Sequence, residues 1–195
     1  MNPPSKLDLA RLPTPLQPLD RLSEALGGPR IWIKRDDLTE GAGAGNKIRK
    51  LEFVLADALD QGATALITSG GLQSNHCRAT ALFAAKLGLQ CHLILRGESA
   101  KTANGNLLLN QLLGASIDYV SDRAFEDLDQ LYDRKAAQLR ALGERPYSIP
   151  IGASDELGLW GYIQAAQELS VDFAAAQIKP SCIVTAVGSG GTYAG

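Results

Sequence analysis

The chain has 195 residues, of which 45% are hydrophobic and 21% charged, with a formal net charge of −2 and its Lys and Arg scattered along its length. This is the make-up of a globular protein with a real core, either one large domain or two small ones. It excludes the clustered basic patch by which proteins hold nucleic acid or an anionic membrane, so the expected partner is a small molecule.

In chain order, MNPPSKLDLARLPTP places prolines and charges where a secretory signal needs an apolar run. No window reaches the roughly 18 apolar residues of a spanning helix, and the two observations predict a cytoplasmic protein. Residues 11–28, RLPTPLQPLDRLSEALGG, read as a proline-rich lead-in, a short helix from about Leu19 and a Gly27-Gly28 stop, and IWIK (31–34) reads as a strand. GAGAGNKIRKLEFVLADAL (41–59) then runs from a glycine-rich loop into an apolar helical pattern. A regular alternation follows: ATALITS (63–69) strand, NHCRATALFAAKLGL (75–89) helix, CHLILR (91–96) strand, GNLLLNQLLGA (105–115) helix and SIDYV (116–120) strand. KTANG (101–105) reads as a surface loop. A charged helix over 123–142 leads to YSIPI (147–151), a helix over 156–169 and a strand SCIVTAV (181–187). Short apolar runs separated by helical segments predict βαβ units, so the fold class is α/β with a parallel sheet. The chain closes on GSGGTYAG (188–195), where a parallel-sheet protein begins its next helix, and a fragment of a longer protein is expected. Cys77, Cys91 and Cys182 are odd in number and widely spaced, which predicts reduced, packed thiols. His76-Cys77 and Cys91-His92 are chain neighbours that point in different directions, so no metal site is expected.

Three stretches can carry chemistry. With a helix from Asn46 turning about 100° per residue, Leu51, Val54, Leu55 and Ala58 form the inward stripe. Lys47 lies at the edge of that stripe, whereas Arg49, Lys50 and Asp57 fall elsewhere. An inward lysine has its pKa lowered, as Schiff-base chemistry requires; the alternative is a first-turn lysine that snorkels to water. In TSGGLQSNHCRA (68–79), Ser74-Asn75 open a helix, either as a plain N-cap or as a turn that holds a carboxylate or phosphate. In VGSGGTYAG, Gly188 and Gly190 resemble a dinucleotide fingerprint, but Tyr193 occupies the third glycine position and a loop around one isolated phosphate fits better. An inward lysine, a carboxylate-binding turn with Ser and Asn, and a phosphate loop together make the parts of a pyridoxal-phosphate site for an amino acid.

Taken together, RDDLTEGAGAGNKIRKLEF, TSGGLQSNHCRATALFAAKLGL, IPIGASDELGLWGYIQAAQEL and VGSGGTYAG resemble the D-cysteine desulfhydrase and 1-aminocyclopropane-1-carboxylate deaminase family. That family lies within the tryptophan-synthase-β-like, fold type II pyridoxal-phosphate enzymes. The resemblance covers nearly the whole chain in order. It implies that Lys47 holds pyridoxal 5'-phosphate covalently and shuttles protons at the substrate α-carbon, and that Asn75 hydrogen-bonds the cofactor's ring hydroxyl. Ser74, with the backbone amides of Asn75 and His76, is implied to hold the substrate carboxylate, and Ser74 to take part in proton transfer. Gly188, Ser189, Gly190, Gly191 and Thr192 are implied to bind the cofactor phosphate.

The resemblance further implies two domains, with residues 1–52 and 165–195 in a cofactor domain and 53–164 forming a smaller α/β domain. Here Ala44 stands where the family usually has a glycine. Members of the family continue for more residues than this chain has, so the cofactor domain is expected to be incomplete and the pyridine-nitrogen partner to lie outside it. The implied activity is a lyase that releases pyruvate, sulfide and ammonia from D-cysteine, with the QSNHCR turn leaning toward that branch. The cyclopropane deaminase and cysteate-type reactions are alternatives, as are an inactive fragment or binding module. A homodimer is implied for the full-length protein.

Overall fold

The computed structural model describes residues 3–41, 43–99 and 101–195. An antiparallel ribbon comes first, strand β1 (Leu16–Pro18) pairing with β2 (Trp32–Lys34). Between them helix α1 (Asp20–Leu26) ends on Gly27, whose left-handed backbone (φ 58) is the stop that the double glycine predicts. Helix α2 (Lys47–Asp60) follows the glycine-rich loop. The remaining strands, β3 (Ala65–Gly71), β4 (Gln90–Arg96), β5 (Ser116–Val120) and β6 (Pro146–Ser148), form one parallel sheet in the order β5-β4-β3-β6.

β3 is paired on both edges, with Leu66 opposite Cys91 of β4 and Tyr147 of β6. Its residues are buried on both faces, as the unbroken apolar run ALITS requires of an inner parallel strand. Alternation then sorts the side chains. Leu66, Leu93 and Leu95 pack with α2 and with helix α3 (Asn75–Leu87), while Ala65, Ile67 and Ile94 pack with Ala136 and Leu139 of helix α6 (Leu128–Ala141). The chain steps from β3 through α3 to β4, and through helix α4 (Gly105–Leu112) to β5, with Leu107 of α4 in the same core as α3. A short helix α5 (Asp122–Phe125) and α6 then lead back across the other face to β6 on the far side of β3. The strand order reverses between β3 and β6, and the crevice beyond the carboxyl ends of such strands is where open α/β sheets bind ligands.

A one-turn 3₁₀ helix, Ile151–Ala153, connects β6 to helix α7 (Glu156–Ala175), which packs against α2. At their crossing Gly161 touches the backbone of Arg49 and Lys50 so closely that a Cβ would collide with the Arg49 carbonyl. A glycine is needed there because only a missing side chain permits that approach. Because α7 covers the side of α2 away from α3, α2 is buried nearly all round. The single-stripe reading put Arg49 and Lys50 off the buried face, yet both are 0% exposed. Arg49 is neutralised by Asp36 (Nη2 to Oδ1, 2.8 Å) and by Glu168 of α7 (Nη1 to Oε2, 2.9 Å). Lys34 adds a second cation 2.5 Å from Glu168 Oε1, and Tyr162 donates to Asp36 Oδ2 at 2.8 Å.

Three expectations are corrected. SCIVTAV (181–187) has no regular secondary structure and is not a strand, because a strand exists only through its ladder and no described strand lies beside it. The single charged helix over 123–142 is two, α5 and α6, broken where Asp127 starts afresh by accepting from the Gln130 amide at 3.2 Å. Cys182 is exposed, whereas Cys77 and Cys91 are packed and burial pushes their thiols up to about 11 and about 12. No helix among the described residues is long and apolar enough to cross a membrane.

Candidate functional site

Lys47 is the first residue of α2, delivered there by Gly45, whose backbone (φ 124) L side chains rarely adopt. Asn46, at the N-cap position, does not spend its carboxamide on the helix end. Its Oδ1 accepts from Lys47 Nζ at 3.1 Å and its Nδ2 donates to Thr192 Oγ1 at 2.9 Å, so one side chain ties the lysine loop to the terminal glycine loop. Lys47 is half-buried, and that burial pulls its ammonium below the ordinary lysine range.

Lys50, one turn along α2, was absent from the sequence-derived set. Its Nζ donates to the Gly152 carbonyl at 3.1 Å and to Ser154 Oγ at 3.0 Å. Burial first, and then the nearby charge of Lys47, pull its pKa down to about 8 against an opposing pull from Asp155. Ser154 Oγ lies 2.7 Å from Ser189 Oγ. Gly191 is buried against the same group: a Cβ there would collide with Lys50 Nζ and stand 2.5 Å from Ser154 Oγ. Gly190 turns with φ 84, and Gly188 is exposed at the loop's start. A cation, two hydroxyls and a glycine without a side chain thus form one small cradle, whose donors suit a phosphate. The signal that points to Lys50 is its i, i+3 spacing from Lys47, which sets the two on one side of the helix.

At the carboxyl end of β3, Ser74 caps α3, its Oγ accepting from the Cys77 amide at 3.2 Å. The amides of Asn75 and His76 have no acceptor among the described residues, which leaves the helix start open to an anion. Asn75 is exposed, and its Oδ1 accepts from Asn106 Nδ2 at 2.9 Å. His76 is buried, and burial, then Lys47 and Lys50, push its pKa down to about 3, so the ring is neutral. Thr68 spends its one hydroxyl proton on the Ile149 carbonyl (2.9 Å), so His76 Nε2, at 2.8 Å, must be the donor to Thr68 Oγ1. His76 Nδ1 is left as a buried acceptor without a partner among the described residues.

The structure therefore joins Lys47 to Thr192 through Asn46, and Ser189 and Gly191 to Lys50 through Ser154. His76 sits within the field of both lysines. Ser74 and Asn75 make no hydrogen bond to either lysine among the described residues. Their connection runs through Arg78 of α3, whose Nη2 donates to the Ala44 carbonyl in the lysine loop at 2.7 Å. Chemically, an amine whose pKa burial lowers from the ordinary lysine range lies in one site with an anion cradle and an open helix end, which is what an aldehyde carrying a phosphate requires.

Comparison with known proteins agrees with this chemistry. Residues 7–195 match the family described as pyridoxal-phosphate dependent enzyme. A D-cysteine desulfhydrase of Serratia proteamaculans is 46% identical over 195 residues, covering 97% of this chain and 58% of that protein. A mitochondrial bifunctional D-cysteine desulfhydrase/1-aminocyclopropane-1-carboxylate deaminase of Arabidopsis thaliana is 43% identical over 202 residues, covering 99% of this chain and 50% of that one. A solved structure of an ACC deaminase homologue superposes with a TM-score of 0.87 at 40% identity, covering 97% of this chain and 56% of the other. The chain thus spans little more than half the length of these relatives.

Proposed function

The chain belongs to the family of pyridoxal-phosphate dependent enzymes, and on that premise we propose that it carries the lysine, the substrate turn and the phosphate cradle of a lyase acting on a small amino acid. The substrate favoured is D-cysteine, converted with water to pyruvate, sulfide and ammonia. The observation that carries the reading is the meeting of Lys47 with the glycine loop through Asn46.

Pyridoxal 5'-phosphate, when bound, supplies an aldehyde that condenses with an amine and a conjugated ring that accepts the electrons of a deprotonated α-carbon. Lys47 is the attachment point. It also takes and returns the proton at the substrate α-carbon, roles that the burial-lowered pKa of its amine suits. The phosphate is held by Ser189, Gly191 and Thr192 with the flanking Gly188 and Gly190, and Lys50 contributes the balancing positive charge. Asn75 meets the ring hydroxyl. Ser74 and the free amides of Asn75 and His76 receive the substrate carboxylate. In the same proposal residues 1–52 and 165–195 form the cofactor domain and 53–164 the smaller one, which closes over the substrate and excludes water. The full-length enzyme is proposed to be a cytoplasmic homodimer.

Two lysines compete for the attachment role, and borohydride reduction in the presence of pyridoxal phosphate separates them. Peptide mapping is expected to find the label on Lys47; a label on Lys50, or none, overturns the assignment. A second substrate class, the cyclopropane amino acid, is supported by the two activities named for the Arabidopsis relative. Ammonia released from 1-aminocyclopropane-1-carboxylate, with no sulfide or pyruvate from D-cysteine, would favour it.

A further inference from the structure

We propose that Asn106, at the start of α4, is a positioning residue that turns the Asn75 carboxamide so that it presents N–H donors and not its carbonyl to the site. The inference rests on the proposal that Asn75 meets the cofactor's ring oxygen. Three hydrogen bonds determine it. Arg78 Nη1 lies 3.4 Å from one end of the Asn106 carboxamide, and a guanidinium only donates, so that end is Oδ1. The other end lies 2.8 Å from the Gln73 carbonyl, which only accepts, so that end is Nδ2. The second proton of Nδ2 then points at Asn75, 2.9 Å away, and the Asn75 atom receiving it must be Oδ1. The acceptor end of Asn75 is thereby spent on α4. Its Nδ2 has no partner among the described residues and remains on an exposed side chain.

The surrounding bonds hold Asn106 in place. Its backbone amide donates to Gln73 Oε1 at 2.8 Å, and Gln73 Nε2 donates to Asn104 Oδ1 at 3.1 Å, locking the start of α4 to the turn before α3. Gly105 stands between them with φ 51, and a Cβ there would lie 2.5 Å from Gln73 Oε1. Arg78 extends the chain of bonds to the Ala44 carbonyl, so the same network joins the Asn75 turn to the loop bearing Lys47. A carboxamide fixed donor-outward selects an oxygen with no proton to give, such as an ionised ring hydroxyl, and repels none of its lone pairs.

The diagnostic variant is N106D. The carboxylate it introduces keeps the pairing with Arg78 but cannot donate, so the Asn75 carboxamide rotates to give its own N–H to that carboxylate and turns its carbonyl toward the ring oxygen. In the 195-residue chain, absorbance titration with pyridoxal phosphate should show N106D weakening binding by about tenfold or more. In an N75A background the same change should shift the Kd by less than about twofold, since the proposed effect runs through Asn75 and the introduced carboxylate keeps Arg78, and with it the Ala44 contact, in place. No weakening in N106D, or equal weakening with and without Asn75, overturns the inference. If N75A alone leaves the affinity unchanged, it is the Asn75 assignment that fails. A measurement on the unaltered, cofactor-free chain is independent of both: ¹⁵N spectra should show the Asn106 side-chain protons protected from exchange and those of Asn75 exchanging freely. The reverse pattern overturns the orientation directly.

Discussion

Lys47 and Lys50 sit one turn apart on α2, and keeping two ammonium groups there costs the folded state. An unfolded lysine titrates near 10.5, whereas folded Lys50 titrates at about 8, chiefly through burial and secondarily through Lys47. Between those values the unfolded chain holds the extra proton at this position, so the contribution of Lys50 to stability rises with pH from about 8 toward 10.5. Below 8 the penalty is fully present. Urea unfolding across this window should show the wild type gaining on K50M by at most about 3 kcal/mol, the difference isolating Lys50 from the buried Cys77 and Cys91 thiols, whose raised pKa values pull stability the other way above about pH 9. The same titration predicts how an anion binds. A phosphate favours the cationic form, so the affinity for pyridoxal phosphate should fall above pH 8 in the wild type, and its pH dependence there should flatten in K50M. A match in pH dependence between K50M and the wild type would remove Lys50 from the cradle. Lys47 was legible in the sequence because a glycine loop running into a helix draws attention to the first charged side chain. Lys50 was not, because an amphipathic stripe is drawn on the assumption that one side of the helix faces water.

That assumption fails at the level of the element, where α7 closes the outer side of α2 from a hundred residues away in the chain. The joint has two parts, the bare contact at Gly161 and the pairing of Arg49 with Glu168 and Asp36. Burial alone would raise the Glu168 carboxyl, but hydrogen bonds from Arg49 and Lys34 outweigh it and hold its pKa at about 2. The stabilisation this represents is present above the unfolded value of 4.5 and is lost as pH falls from there through about 2. E168A, which strips Arg49 of one carboxylate, should cost about 3 kcal/mol at neutral pH and blunt the acid transition in that window, as read by chemical denaturation against pH. G161A, tested the same way, should destabilise by at least about 1–3 kcal/mol because its Cβ meets backbone that cannot swing aside. The elements that were readable, β3 to β5 with α3 and α4, carry their own signal in an apolar run or a helical period. The break at Asp127 and the all-round burial of α2 depend on contacts made after the chain folds, and no local pattern encodes them.

For the molecule as a whole, the parallel sheet around β3 is closed by helices on both faces, while residues 181–187, beyond α7, are exposed. Ile183, Val184 and Val187 are 67%, 90% and 65% exposed in a run whose composition suits a strand. The sequence marked this run as a strand correctly in propensity, since β-branched residues dominate it, but pairing requires a neighbour and none is present among the described residues. An exposed, β-branched apolar run with unpaired backbone can pair with another chain. The 195-residue chain should therefore self-associate as its concentration rises, with the contact centred on 183–187. Replacing Val184 and Val187 together by Asp should reduce that association in sedimentation velocity, because charges on both residues oppose edge-to-edge pairing. The thermal midpoint should stay within about a degree or two, since surface changes away from packed features stay within roughly 0.5 kcal/mol. A double variant that associates as strongly as the parent would move the adhesive surface elsewhere. A double variant that loses cooperative unfolding would mean that this run is packed in solution.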